Sequence, residues 1–211
     1  MSASKSPAQP PAGSHFTRLH HFHGGLVLAS HSELSTSQPV SSAGIPDELV
    51  IPLQQHVGEL ATPRVSPGDT VMKVRQIAAP DGNVSSPVHA WRSGTVTAIE
   101  PRPFPHPSGM TVPSIIIATD GHDSWQPADT SLADYRQASA EALLEHIRNA
   151  GIVGLGGAGF PTSVKLGNAR SQDIDLLLIN GVECEPYITC DNMLMQERSG
   201  EILQGTLILQ H

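Results

Sequence analysis

Five glycines fall within nine residues in the stretch Gly151-Ile-Val-Gly-Leu-Gly-Gly-Ala-Gly-Phe-Pro-Thr-Ser-Val-Lys-Leu166: Gly151, Gly154, Gly156, Gly157 and Gly159. Such a run brings backbone N–H groups against an anionic ligand, because no Cβ holds the ligand away. Pro161 suits the first position of a helix, so that the helix N-terminus faces the same anion. Lys165 follows one turn later and adds a full positive charge. The chemistry these residues offer is the holding of a phosphate-bearing cofactor by a loop. They do not form a nucleotide-hydrolysing phosphate loop, since Lys165 is followed by Leu166 rather than Ser or Thr and the glycine spacing differs.

A second cluster is Asn180-Gly-Val-Glu-Cys-Glu-Pro186. Glu183 and Glu185 alternate, so an extended backbone presents both on one side. Paired carboxylates there can accept ribose hydroxyls or a ring N–H. A solvated acidic turn is the plain alternative, and the Gly-rich loop upstream tips the reading toward a ligand site. Cys184 and Cys190 are the only cysteines. An iron–sulfur cluster takes four ligands, commonly in a close cysteine run, so this pair reads as free thiols.

Composition bounds what can surround these motifs. The net charge of −8 argues against nucleic acid or an anionic membrane surface as the main partner. No window approaches the ~18 apolar residues of a spanning helix, and residues 1–15 lack the apolar stretch of an export signal. Aromatic residues make up 4%, so the core must be built from Val, Ile, Leu and Ala.

Residues 1–22 are rich in Ser, Pro, Ala and His and read as a disordered tail. His15, His20 and His21 lie there and His23 just after it, without a fixed coordination pattern. Residues 23–125 read as a β-rich region, with strand runs at 49–53, 70–74, 95–99 and 114–118. Turn signals separate them at Ser66-Pro67-Gly68-Asp69, Pro80-Asp81-Gly82-Asn83, Ser93-Gly94 and Pro107-Ser108-Gly109. From 131 to 211 the pattern changes to helical period. Leu143, Leu144 and Ile147 share a face, and Gly151 is placed to stop that helix. Ile174 to Ile179 reads as a buried parallel strand ending at the acidic cluster. Thr189 or Asp191 caps a last helix carrying Met193, Leu194, Ile202, Leu203, Leu207 and Ile208 on its inner face. The alternation suggests an α/β layer. Apolar helical pattern runs up to Leu209-Gln210-His211, which points to a piece of a longer protein.

The β region resembles the barrel-sandwich hybrid of biotinyl and lipoyl carrier domains. Those carriers present a Lys at a hairpin tip. The matching tip here, Asp81-Gly-Asn-Val-Ser-Ser86, has none, and Lys73 lies within a strand run. A carrier or docking module is therefore the alternative function, and a sandwich without a prosthetic group the expectation.

At the two clusters the chain resembles a known family. Residues 154–162 with Lys165 resemble the FMN-binding loop of the flavoprotein subunit of respiratory complex I. The match to the C subunit of the Rnf-type electron transport complex is closer. It runs through Ile179-Asn-Gly-Val-Glu-Cys-Glu-Pro-Tyr-Ile-Thr189 and Asp191-Asn-Met-Leu-Met195, and takes in His23-Gly-Gly25 and the sandwich. The fold implied is mixed α+β: a small barrel-sandwich hybrid followed by the start of an α/β FMN-binding domain. The function implied is that of a peripheral subunit on the cytoplasmic face of the bacterial inner membrane. It moves electrons from NADH through FMN to two [4Fe–4S] clusters and on to the other subunits of an ion-translocating complex. Residue by residue, the resemblance places Gly154, Gly156, Gly157, Ala158 and Gly159 along the FMN and Lys165 at its phosphate. It places Asn180 and Glu183 at the flavin, and Phe160 and Glu185 toward NADH. The family's cluster motifs lie further C-terminal and are absent from this chain. Val74 and Arg75 stand where the family has a Gly turn, and Trp91 and Arg92 replace smaller residues, which predicts strain in the sandwich.

Overall fold

A computed structural model of the chain describes residues 28–127, 134–155, 157–169 and 172–211. The 1–22 tail with its histidines, the His23-Gly-Gly25 segment and Gly156 lie outside the described residues.

The first half folds as two short antiparallel sheets around one apolar core. Strands β1 (Glu48–Pro52), β2 (Thr62–Pro63), β3 (Thr70–Val71), β4 (Gln76–Ala79), β5 (Val88–His89), β6 (Gly94–Pro103) and β7 (Thr111–Thr119) follow one another along the chain. Four of them form a sheet in the order β1-β7-β6-β3, and the other three a sheet in the order β2-β4-β5. Ile51, Val71, Ile77, Val96, Ile115 and Ile117 meet between the sheets, most of them without solvent contact. Each contributes about 1.5–3 kcal/mol on burial, and these β-branched side chains suit a pleated surface. All four strand runs expected from the sequence are present. The three-stranded sheet is not legible there, because β2 and β5 are two residues each and carry no alternation to read.

Val74 has a φ of +64°, the left-handed region that a β-branched residue rarely occupies. The strain expected where the family has glycine therefore sits at this residue. Trp91 and Arg92 show no such effect: Trp91 is exposed and Arg92 reaches the Asp123 carboxylate at 3.6 Å.

The second half is helical. Helix α2 (Ala140–Asn149) starts at Ser139, whose hydroxyl accepts the amide of Ala142 at 3.2 Å. It ends at Gly151, with φ at +70°, as a left-handed stop. Helix α3 (Thr162–Ala169) follows the Gly-rich loop. Pro161 lies one residue outside it, and its carbonyl accepts the amides of Val164 and Lys165. The single last helix expected from the pattern is two helices, α4 (Cys190–Glu197) and α5 (Ser199–Gln210), broken where Arg198 leaves helical geometry at φ −129°. Its expected inner face is in part exposed, at Leu194, Leu203 and Leu207.

The parallel strand expected from 174 to 179 does not form. The segment has no regular structure, no strand among the described residues pairs with it, and Leu176 and Leu178 are 66% and 78% exposed. Asp175 interrupts its apolar run. A parallel strand exists only through neighbours on its edges, and β1 to β7 are all engaged in the sandwich.

A contact unforeseen in the sequence ties the two ends together. Helix α1 (Glu33–Thr36) and its flanks grip the segment before α4 and the last residue of α4. The Tyr187 amide donates to Ser30 O at 2.8 Å, the Ser35 hydroxyl to Tyr187 O at 3.0 Å, and the Val40 amide to the Glu197 carboxylate at 2.9 Å. The ring of His31 stacks on Tyr187 with centroids 4.8 Å apart.

Candidate functional site

The Gly-rich loop is a closed hairpin standing at the N-terminus of α3. Val153 and Pro161 pair across its neck. The Gly154 amide donates to Phe160 O at 2.9 Å and the Thr162 amide to Ile152 O at 3.0 Å. Gly154 thus uses its N–H to close the loop rather than to offer it outward. Gly157 and Gly159 have φ of +107° and +58°. The amides of Gly157, Ala158 and Gly159 have no backbone acceptor among the described residues, as an anion-binding concavity requires.

These three residues line a cleft of about 550 Å³. Its opposite wall is the sandwich, with Phe104, Met110 and Val112 from the β6–β7 hairpin and Gln54 to Val57 from the loop after β1. A Cβ added at Gly157 would meet nothing within 4 Å, so the loop is open at this residue. Amides without a backbone acceptor, on residues lining a cleft of that size whose wall includes Phe104, Met110 and Val112, suit an aromatic ligand with an anionic tail, and the residues present fit FMN on that ground. A second cleft of about 910 Å³ opens where the start of the loop meets the sandwich, between Leu155, Trp91 and Trp125.

The remaining residues singled out in the sequence are placed elsewhere. Lys165 is exposed in the first turn of α3 and does not line the 550 Å³ cleft. Phe160 is 39% exposed beside the loop neck. Asn180 is exposed, and its side-chain oxygen accepts the Val182 amide at 3.0 Å, making a local turn. Glu183 is half-buried, and its carboxylate accepts the Asn192 amide at 3.0 Å and faces the Cys190 thiol at 3.7 Å. It supplies the N-terminal partner of α4 that Thr189 does not, since the Thr189 hydroxyl bonds to Ser35 instead. Glu185 is exposed. Cys184 and Cys190 are exposed free thiols, and two cysteines cannot supply the four ligands of a cluster. The cluster chemistry implied by the resemblance therefore has no ligand set in this chain.

Two histidines that pack against the loop's glycines escape a reading of the sequence. His89 hydrogen-bonds the backbone of Asn149 at the end of α2, and burial holds its pKa below the ordinary histidine range. His56, buried in the loop after β1, lies against Gly159. Neither belongs to a spacing pattern. The only signal is the glycines opposite them. Gly151 and Gly159 are glycine because a Cβ would come within 2.8 Å of Pro87 O and 2.9 Å of His56 Cα respectively.

The fold and loop together define a barrel-sandwich hybrid joined to the beginning of a flavin-binding domain. Comparison with known proteins agrees on both parts. The family described as "RnfC Barrel sandwich hybrid domain" matches residues 20–122, and that described as "Nuo51 FMN-binding domain" matches residues 147–211. Through these regions the chain belongs to the family of C subunits of ion-translocating oxidoreductase complexes. Proteins named as the C subunit of an "Ion-translocating oxidoreductase complex" are similar to it along most of its length. That of Pseudomonas aeruginosa is 48% identical over 191 residues, covering 90% of this chain and 24% of the relative. That of Serratia proteamaculans is 43% identical over 194 residues, covering 92% and 27%. The chain thus spans about a quarter of the length of the curated relatives it matches.

Proposed function

We propose that this chain is the flavin-loop end of a peripheral electron-transfer subunit in an ion-translocating oxidoreductase complex. In this reading the complete subunit takes electrons from NADH through FMN to iron–sulfur clusters carried outside this chain. It delivers them to the other subunits on the cytoplasmic side of the bacterial inner membrane. No helix among the described residues is long and apolar enough to cross a membrane, in keeping with a peripheral place. The division into 23–125 and 131–211 then separates the sandwich from the flavin-binding part.

The observation that carries the reading is that Gly157, Ala158 and Gly159, whose amides have no backbone acceptor among the described residues, line a cleft just before α3. Gly154, Gly156, Gly157, Ala158 and Gly159 would line the FMN, and Lys165 would neutralise its phosphate. Asn180 and Glu183 would border the flavin, and Phe160 and Glu185 the NADH side. FMN, when bound, supplies the conversion of a two-electron hydride transfer into single-electron steps. The chain's own residues bind, orient and exclude water, and none needs to act as an acid or base. The test is reconstitution: the complete subunit should retain FMN and oxidise NADH, and failure to do either removes the proposal.

The carrier alternative has less to stand on. The Lys73 ammonium is paired with Asp123 at 2.9 Å and lies over the Trp125 ring at 4.2 Å, away from the hairpin tip. A covalent biotin or lipoate adduct in an intact-mass measurement would restore it.

A further inference from the structure

The hairpin tip that carrier domains use to present a lysine is here folded inward. Ser85 and Ser86 are buried. The Ser85 hydroxyl donates to Glu59 O at 2.9 Å and accepts the Asp81 amide at 3.0 Å. The Glu59 amide donates to Val84 O at 3.0 Å. The tip therefore clasps the loop after β1, and the link runs on through one side chain. The Ser86 amide donates to His56 Nε2 at 3.2 Å. Because Nε2 accepts, the proton of the neutral ring sits on Nδ1, which donates to Val57 O at 3.1 Å. Val57 then donates its own amide to Gly159 O at 3.1 Å. A Cβ added at Gly159 would come within 2.9 Å of His56 Cα and 3.1 Å of Gln55 O, so this junction leaves no room for a side chain.

We propose that His56 is a positioning residue for the phosphate-cradling loop. It carries the hold of the 81–86 tip into the backbone at residue 57, which pins Gly159 and so sets the direction of the neighbouring open amides. The sandwich is then a template for the loop rather than a separate module. Part of this rests on the flavin reading above; the geometry of the pin does not.

The test uses the complete subunit with His56→Ala, His56→Gln and Gly159→Ala. FMN affinity is measured by fluorescence quenching, and amide exchange at residues 157–159 is followed in flavin-free protein. Gln places an acceptor near Nε2, whereas Ala removes it. His56→Ala should raise both the FMN Kd and the loop exchange rate about tenfold, with His56→Gln within about threefold of wild type. Gly159→Ala should do the same as His56→Ala from the loop side while leaving the sandwich intact, so it decides the matter if His56→Ala does not fold. The proposal is overturned if loop exchange and affinity stay at wild-type values in His56→Ala or in Gly159→Ala, or if Gln is as damaging as Ala. Should wild-type protein bind no FMN, the functional reading fails and exchange alone judges the pin.

Discussion

The carboxylate of Glu183 accepts the backbone amide of Asn192, nine residues further along the chain, at 3.0 Å. A residue expected at a flavin edge is thus also the anion at the N-terminus of α4. Glu183→Ala should lower stability by about 1 kcal/mol, the usual loss when a helix N-terminal partner is removed. Glu183→Gln, which keeps an acceptor, should lose less. Chemical unfolding followed by circular dichroism reads both, and equal stability of Ala and wild type would show that the contact is idle.

Lys165 is predicted to act through charge. Lys165→Ala should weaken FMN binding about tenfold or more, in line with loss of a charge-assisted hydrogen bond. The wild-type affinity should fall with added salt, and that of the variant should fall less. An unchanged dissociation constant would refute the role.

Val74 offers a stability test independent of any ligand. A left-handed conformation costs a non-glycine residue about 1–2 kcal/mol, against about 0.5–1 kcal/mol for the extra chain entropy of glycine. Its side chain is 44% exposed, so little apolar burial is lost on truncation. Val74→Gly should therefore raise stability by about 0.5–1 kcal/mol, visible as a higher urea midpoint. A lower midpoint would mean that the valine side chain contributes more than its strain.

The interface between the sandwich and α2 should respond to acid through His89. Burial lowers its pKa in the folded protein below the unfolded value of 6.5. The unfolded chain therefore takes up the proton first as pH falls. The stability from keeping this ring neutral is complete above about pH 6.5 and is lost progressively below it. Thermal midpoints measured from pH 7.5 to 5.5 should decline on the acid side, and less steeply in His89→Gln. Identical profiles for the two proteins would remove His89 as the cause.

Local signals in the sequence are legible where one residue type answers to one local geometry. Gly151 as a helix stop, the turn at residues 66–69 and the longer strands all follow from backbone preference and short-range periodicity. The failures share a cause. The 174–179 segment reads as a strand from apolar content alone, but a strand needs partners, and none of the described strands is available to it. The break at Arg198 lies within a helical pattern that gives no hint of it. The grip of residues 30–40 on 187–197 joins positions far apart in the chain, and no periodicity records such a contact.

For the site, the chain alone specifies chemistry: a loop stripped of Cβ atoms, a proline at a helix start, a lysine one turn on, and an acidic turn further along. Only the folded arrangement divides the glycines by task. Gly157 faces open space, whereas Gly151 and Gly159 are bare because the sandwich presses against them. The physical reason is that glycine is demanded equally by an approaching ligand and by an approaching backbone. The sequence carries the demand, and the packing of His56 and His89 shows from which side it comes.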